Sequence, residues 1–305
     1  MRSAALHGNG LSVLAHTLPV PLWNSALAAK IYGRTLDVVC FRRGDRPVGI
    51  WVCPLDGGAE APAAQRPYRL LPYASPWVAP ELHPLDRHRV IVSMTTTLID
   101  HVDSVELPMD PHFGEAAALI EAGAVALCRH TRMLAPRSGG GFRAAYAPTV
   151  RNHIRAAEKR HTVARVRPEE FDFSRAIVGQ HTAAVAARRE SGIAVSRDSA
   201  ALCLAAVDDQ GVCRGQVFVL RSTAMAILMH SWFDSSGTRG VPSLLVDRAI
   251  VTTVAEWGVT AFDFEGSVLP TVDRFMAGFG ARAVAYPHIR WQRSDPSPFP
   301  EREWG

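Results

Sequence analysis

Two carboxylates stand two residues apart in the run Ala261-Phe262-Asp263-Phe264-Glu265, so a strand there points Asp263 and Glu265 to one side and Phe262 and Phe264 to the other. A carboxylate so placed can orient a reacting group or take its proton. It can also cap the following turn or pair with an arginine, because two acids on a short apolar strand are expensive to bury unpaired. Upstream, His230 lies in Met229-His230-Ser231-Trp232-Phe233. An imidazole with a pKa near neutrality suits a general base, and it also suits a satisfied core histidine.

A second concentration of chemistry is cationic. Between Arg129 and Arg167 there are ten arginines and lysines against the single acid Glu158, a local net of +9 in a chain whose total is +4, which leaves the rest acidic at −5. Within this stretch Arg151, Arg155 and Lys159 recur every four residues, a basic ridge on one stripe of a helix, with Arg160 beside it. Such a ridge can hold phosphates, or it can be a solvated face that keeps the protein soluble. Only Lys30 and Lys159 are lysines, so the charge is nearly all guanidinium, as a GC-rich genome would also produce.

Elements must position these groups. Thr35 to Pro54 reads as a hairpin turning at Arg43-Gly44-Asp45-Arg46, and His88 to Leu98 as a further strand. Gly114 to Arg132 begins with helical character. Three glycines, Gly139 to Gly141, mark a linker, and a helix follows from Pro148 or Thr149 with Val150, Ile154, Ala157 and His161 on one stripe. Beyond it come a strand at Val163–Val166, a helix from Ser174 to Glu190, and strands at Ala201–Val207, Val212–Leu220 and Ala224–Asp234. A helix over Ser243–Trp257, the strand Ala261–Glu265, a helix containing Phe275 and a strand at Ala283–Trp291 complete the order β-α-β-β-β-α-β-α-β.

That order resembles the GNAT acyltransferase fold. Asp263-Phe264-Glu265-Gly266-Ser267 and Phe275-Met276-Ala277-Gly278-Phe279-Gly280 are similar to the D-F-x-G-S and F-K-x-x-F-G segments of the FemABX family of aminoacyl-tRNA-dependent transferases. The helix TVRNHIRAAEK, from Thr149 to Lys159, is similar to that family's R-x-x-I-R-x-A-E-K segment, and Leu71-Pro72-Tyr73-Ala74-Ser75-Pro76 to its first-domain loop. Two features depart from the pattern: Met276 replaces the family's lysine, with Arg274 the nearest cation, and no heptad pattern supplies a coiled-coil arm.

The resemblance implies an α/β (α+β) fold of two tandem GNAT-like domains, 1–140 on the acceptor side and 141–294 on the acyl-donor side, with 295–305 an extended tail. It implies an aminoacyltransferase that forms an amide on an amine acceptor held between the domains, such as a peptidoglycan precursor or a peptide intermediate of antibiotic biosynthesis. Aminoacyl-tRNA would be co-substrate, with no bound cofactor. The site falls between Met229–Phe233 and Asp263–Glu265, where a backbone N–H polarises the acyl carbonyl. Glu265 and Asp263 would then act near the acceptor amine, with His230 as the candidate base. Arg151, Arg155, Lys159, Arg160, Arg239 and Arg274 would hold tRNA phosphates. Tyr73, Trp77 and Trp232, with Trp51, are candidates for the acceptor pocket or for aromatic core. The alternative is an acyl-CoA-dependent N-acyltransferase, since Arg239-Gly240 partly matches a pyrophosphate turn, although Pro242 removes an N–H from it.

Composition bounds the remaining classes. With 305 residues, 48% hydrophobic and 20% charged, the chain can bury a large core, and no apolar run reaches the roughly 18 residues of a membrane span. His7, Gly8, Asn9, Gly10 and His16 interrupt the N-terminal region, which argues against a secretory signal and for the cytoplasm. Five cysteines without a C-x-x-C pair read as buried thiols, and twelve histidines lack metal-ligand spacing, so no metal is expected.

Overall fold

The computed structural model describes residues 2–5, 20–25, 28, 36–56, 63–65, 71–136, 141–176, 189–190, 192, 200–234, 239–265 and 269–293. Arg137, Gly139-Gly140, most of the helix expected over Ser174–Glu190, Gly237-Thr238, Gly266-Ser267 and the tail 295–305 lie outside the described residues. The chain forms two compact units, one of residues 1–67, 71–129 and 285–305, the other of 68–70 and 130–284.

In the first unit the expected hairpin is present as β2 (Leu36–Arg43) and β3 (Arg46–Asp56), turned at Gly44, whose φ is +63°. β1 (Arg2–Ala5) pairs with β2, β4 (Ala63–Gln65) with β3, and β5 (Trp77–Val78) also with β3. β6 (Ser104–Pro108) runs parallel to β4 and antiparallel to His288–Gln292 of β13 (Arg282–Gln292). The strand expected at His88–Leu98 is instead part of helix α1 (Pro84–His101). Its Val, Ile and Thr content favours a strand by propensity. Burial decides otherwise: Val90, Ile91, Met94 and Leu98 recur at helical spacing and all enter one apolar cluster. The hydroxyls of Thr95, Thr96 and Thr97 bond back to the carbonyls of Ile91, Val92 and Ser93, so these β-branched residues satisfy themselves within the helix. Pro84 opens the helix, and His83 Nδ1 accepts the Leu85 N–H. α2 (Ala116–Glu121) follows, and Gly123 at φ +97° ends it before β7 (Val125–Leu134).

The second unit carries the predicted alternation. Helix α3 (Pro148–Glu158) precedes β8 (His161–Val166), α4 (Phe173–Ala176), β9 (Ala201–Asp208), β10 (Cys213–Ser222) and β11 (Met225–Phe233). Then come α5 (Val241–Trp257), β12 (Ala261–Asp263) and α6 (Pro270–Ala277). The strands lie in the order β7-β12-β11-β10-β9-β8, with β11 and β12 parallel. One face, bearing Leu204, Val217, Val219 and Leu228, shares a core with Val150, Ile154 and Ala157 of α3 and with Leu244, Leu245 and Ile250 of α5. Val150, Ile154 and Ala157 of the expected stripe are thus buried, whereas His161, expected on the same stripe, begins β8 beyond the end of the helix.

The Gly278-Phe279-Gly280 motif has a packing role. Phe279 is fully buried, edge-on to Tyr146 at 5.0 Å and Phe275 at 5.3 Å and tilted against Phe264 at 5.7 Å. The Gly278 carbonyl accepts the Ala147 N–H at 2.8 Å, so this motif seats the segment that leads into α3. Arg143 of that segment forks onto the fully buried Asp247 of α5, with Nε–Oδ1 at 2.8 Å. Burial and Asp247 together push the Tyr146 hydroxyl pKa upward.

Where α5 begins, Gly240 takes φ +92° and lies against α3 so closely that a Cβ would stand 2.3 Å from the His153 carbonyl oxygen. Gly240→Ala must therefore adopt a left-handed backbone and push two helices apart. The expected loss is about 2–4 kcal/mol, read as a lowered midpoint of chemical denaturation.

Candidate active site

β12 is shorter than its apolar run suggested. It ends at Asp263, and Glu265 takes φ +60°, a left-handed conformation that costs a non-glycine residue about 1–2 kcal/mol. The expected alternation therefore stops at Asp263, and Asp263 and Glu265 do not project as neighbours on a regular strand. The Asp263 side chain is fully buried, and its Oδ1 accepts both the Thr131 hydroxyl at 2.5 Å and the Glu265 backbone N–H at 2.9 Å. Asp263 thus caps the turn that carries Glu265, which is half-buried. Thr131, on β7, is equally buried and is a partner that sequence reading did not find, since no local signal links positions so far apart.

The end of β12 exposes its neighbour. Parallel pairing of β11 with β12 covers only Met225–Ile227 against Ala261–Asp263. From Leu228 to Phe233, β11 is paired only on its β10 side among the described residues. In the same stretch the β10–β11 register shifts: Val219 faces Leu228, Phe218 faces His230, and Met229 is the extra residue of a bulge. A bulge of one residue reverses the alternation beyond it. His230 and Trp232 are thereby turned to the face of Phe218 and Gln216, away from the face that bears Leu228 and α5. His230 lies about 10 Å along the strand from Ile227, the residue beside Asp263.

On that face α4 supplies an aromatic wall. Phe173 packs edge-on against His230 at 5.8 Å and against Phe171 at 4.7 Å, and both phenylalanines contact Phe218. Trp232 is buried, and its indole N–H donates to Gln216 Oε1 at 2.8 Å. The same oxygen accepts the Asp172 N–H at 2.9 Å, while Gln216 Nε2 donates to the Glu170 carbonyl at 3.1 Å. The Arg175 guanidinium stacks over the Trp232 ring, 3.8 Å from its centroid.

The remaining predicted residues are dispersed. In the first unit Tyr73 is buried, edge-on to Trp23 and to Tyr286 at 5.6 Å each. Trp51 is buried with its indole N–H on the Ala74 carbonyl, and Trp77 packs partly buried against the α1 cluster. In the second unit Arg151 turns back to the carbonyls of Ala144 and Tyr146, so it braces the entry to α3 and is withdrawn from the ridge. Arg132, Arg143, Arg165 and Arg167 each hold an acid, namely Asp273, Asp247, Glu256 and Glu170. Four of the ten cations of the run are therefore paired with acids that lie outside it. Arg155, Lys159 and Arg160 stay exposed, without an ion-pair partner among the described residues. Arg239 is exposed beside the N-terminus of α5, and Arg274 is exposed with its Nε on the Pro270 carbonyl of its own helix.

The turn at Arg239-Gly240 fits a pyrophosphate poorly. Gly240 abuts the His153 carbonyl, and Pro242 removes a donor from the first helical turn. Among the described residues no group of three or more His, Cys, Asp or Glu could hold a metal ion, and no helix is long and apolar enough to cross a membrane.

No family model matches the chain, and no curated protein matches it in sequence. Solved structures do match. The chain is similar to FemX, with a TM-score of 0.69 at 10% identity over 95% of this chain and 97% of that one. It is similar to a tandem GNAT protein from the clavulanic acid biosynthesis pathway, with a TM-score of 0.55 at 15% identity over 97% and 99%. It also matches L-PGS from Bacillus licheniformis, with a TM-score of 0.52 at 10% identity over 90% of each. These likenesses show the fold: an α/β chain of tandem GNAT-like units, as the motif resemblance implied.

Arg132 forks onto Asp273 through two bonds of 2.7 Å and so holds the Asp273 carboxyl below its ordinary value of 3.8. A depressed folded pKa adds stability above the ordinary value, and that contribution is lost as pH falls through the folded value. Asp273→Asn should accordingly lower the melting temperature at pH 7, with the gap from wild type closing on acidification below about pH 4 in a series of thermal melts.

Proposed function

We propose that this protein is an acyltransferase that moves an aminoacyl group from aminoacyl-tRNA to a small-molecule or peptide amine, forming an amide. The observation that carries the proposal is the opening of β11 beyond Ile227, flanked by the capped turn of Glu265. The FemABX-like segments and the FemX-like fold support aminoacyl-tRNA as donor, and the obstructed Gly240 turn weighs against the acyl-CoA alternative.

In this mechanism the edge of β11 that β12 leaves unpaired presents backbone N–H groups to the acyl carbonyl oxygen and stabilises the oxyanion of the tetrahedral intermediate. The acceptor amine lies on the side of His230 and Trp232, where the Glu265 carboxylate orients it and accepts its proton. The new C–N bond forms, the ester C–O bond to the ribose breaks, and the proton passes to the departing ribose oxygen. Holding both substrates in line supplies much of the acceleration, so no covalent nucleophile is required. Asp263 and Thr131 are positioning residues: they hold the Glu265 turn and do not touch the amine. A peptidoglycan precursor or a peptide natural-product intermediate has the required acceptor chemistry.

Glu265→Gln should lower kcat about a hundredfold with KM little changed. Asp263→Asn and Thr131→Ser, which keep an oxygen at the cap, should lose far less than Asp263→Ala and Thr131→Val. A loss in Asp263→Asn equal to that in Glu265→Gln would instead make the Asp263 charge itself part of the chemistry.

Arg155, Lys159 and Arg160 are the cations at α3 and its C-terminal end that remain to meet RNA phosphates. Their combined replacement by alanine should weaken binding of charged tRNA and flatten the slope of log affinity against log salt by about 2–3, at roughly one unit for each phosphate that is no longer neutralised. An unchanged slope would remove α3 from the RNA footprint.

A further inference from the structure

The arrangement around Trp232 is more than an aromatic wall. Gln216, buried in β10, has both ends of its amide engaged: one oxygen receives the Trp232 indole N–H and the Asp172 N–H, and the nitrogen donates to the Glu170 carbonyl. The ring of Trp232 and the first turn of α4 are therefore fixed to the same side chain. Over that platform sits the Arg175 guanidinium, its carbon 3.8 Å from the ring centroid, while the residue remains exposed. Stacking satisfies the face of a guanidinium and leaves its N–H edges free to form a fork.

Asp172 and Glu170, the two acids nearest in sequence, are committed elsewhere. Asp172 Oδ1 accepts the Ser174 N–H and hydroxyl and the Arg175 N–H, capping α4. Glu170 is held by Arg167 through its side-chain and backbone nitrogens. Arg175 has no ion-pair partner among the described residues. Its position is equally informative. Phe173 and Arg175, two apart on α4, contact His230 and Trp232, two apart on β11, just past the Met229 bulge. The guanidinium thus stands about 7 Å along the strand from His230, on the face assigned above to the acceptor.

We propose that Arg175 on Trp232 is a recognition site for a carboxylate, and that the acceptor is consequently an amine that also carries a free acid, as an amino acid or a short peptide does. A planar carboxylate matches one guanidinium in shape and charge, whereas a phosphate dianion calls for more cations than this face supplies. Arg175 is then a specificity-determining residue. This inference rests on placing the acceptor on the His230–Trp232 face, but its test requires no donor and no turnover, so its failure would leave the transfer chemistry to be judged separately.

The test is calorimetric binding of glycylglycine, glycylglycine amide and phosphoethanolamine to the full chain. Wild type should bind the free dipeptide about tenfold more tightly than its amide, the usual worth of a charge-assisted fork. Arg175→Gln should bind both alike, and Arg175→Lys should retain only part of the preference. Because Arg175 is exposed, Arg175→Gln should melt at the wild-type temperature, which separates lost recognition from lost structure. Equal affinity for acid and amide in wild type, no measurable binding of either, a preference that survives Arg175→Gln, or selective binding of phosphoethanolamine would each overturn the proposal.

Discussion

One oxygen of Asp263 decides where β12 stops. A fully buried carboxylate without partners would cost several kcal/mol, and this one is satisfied by the Thr131 hydroxyl and the Glu265 N–H converging on Oδ1. The second bond can form only if the chain leaves the strand after Asp263, and the left-handed backbone at Glu265 is the conformational cost of that exit. Had β12 continued, it would have covered β11 beyond Ile227 and closed the edge on which the proposed chemistry depends. The opening, the bulge at Met229 and the reorientation of His230 and Trp232 all lie within a few residues of this cap.

The segments most like the FemABX family divide between packing and chemistry. Phe279 fills a core of aromatic rings, and Gly278 and Gly280 bring α6 close to the segment before α3. A Cβ at Gly280, where φ is +77°, would lie 2.8 Å from that of Ala145, so the glycine sets the approach distance. The motif therefore builds the frame, while Asp263 and Glu265 belong to the proposed site. Met276 in place of the family's lysine is itself buried, which accords with a structural part for this stretch.

Much of this was legible from periodicity. The stripe Val150, Ile154 and Ala157, the order of strands in the second half and the Gly44 hairpin all follow from spacing alone, because burial and period coincide there. At Val90–Leu98 the sequence misled: β-branched composition suggested a strand, but burial at helical spacing and three threonines bonded to their own backbone make a helix. The basic ridge was legible as a charge run but not as a balance, since Asp247, Glu256 and Asp273 come from distant positions. The Met229 bulge, the Thr131 bond and the Arg175–Trp232 stack carry no sequence signal, being contacts between residues far apart in the chain or a one-residue slip in a register that composition does not encode.

Acyl transfer from RNA at the edge of β11 beyond its pairing with β12 is the central claim. The measurement that tests it most directly is to incubate the protein with a mixture of charged tRNAs and, separately, with acetyl-CoA, and to follow loss of the acyl group as amines are added. The predicted result is amine-dependent loss of the aminoacyl ester with the amide product appearing in equal amount, and no turnover of acetyl-CoA. Amine-dependent consumption of acetyl-CoA with charged tRNA left intact would contradict it.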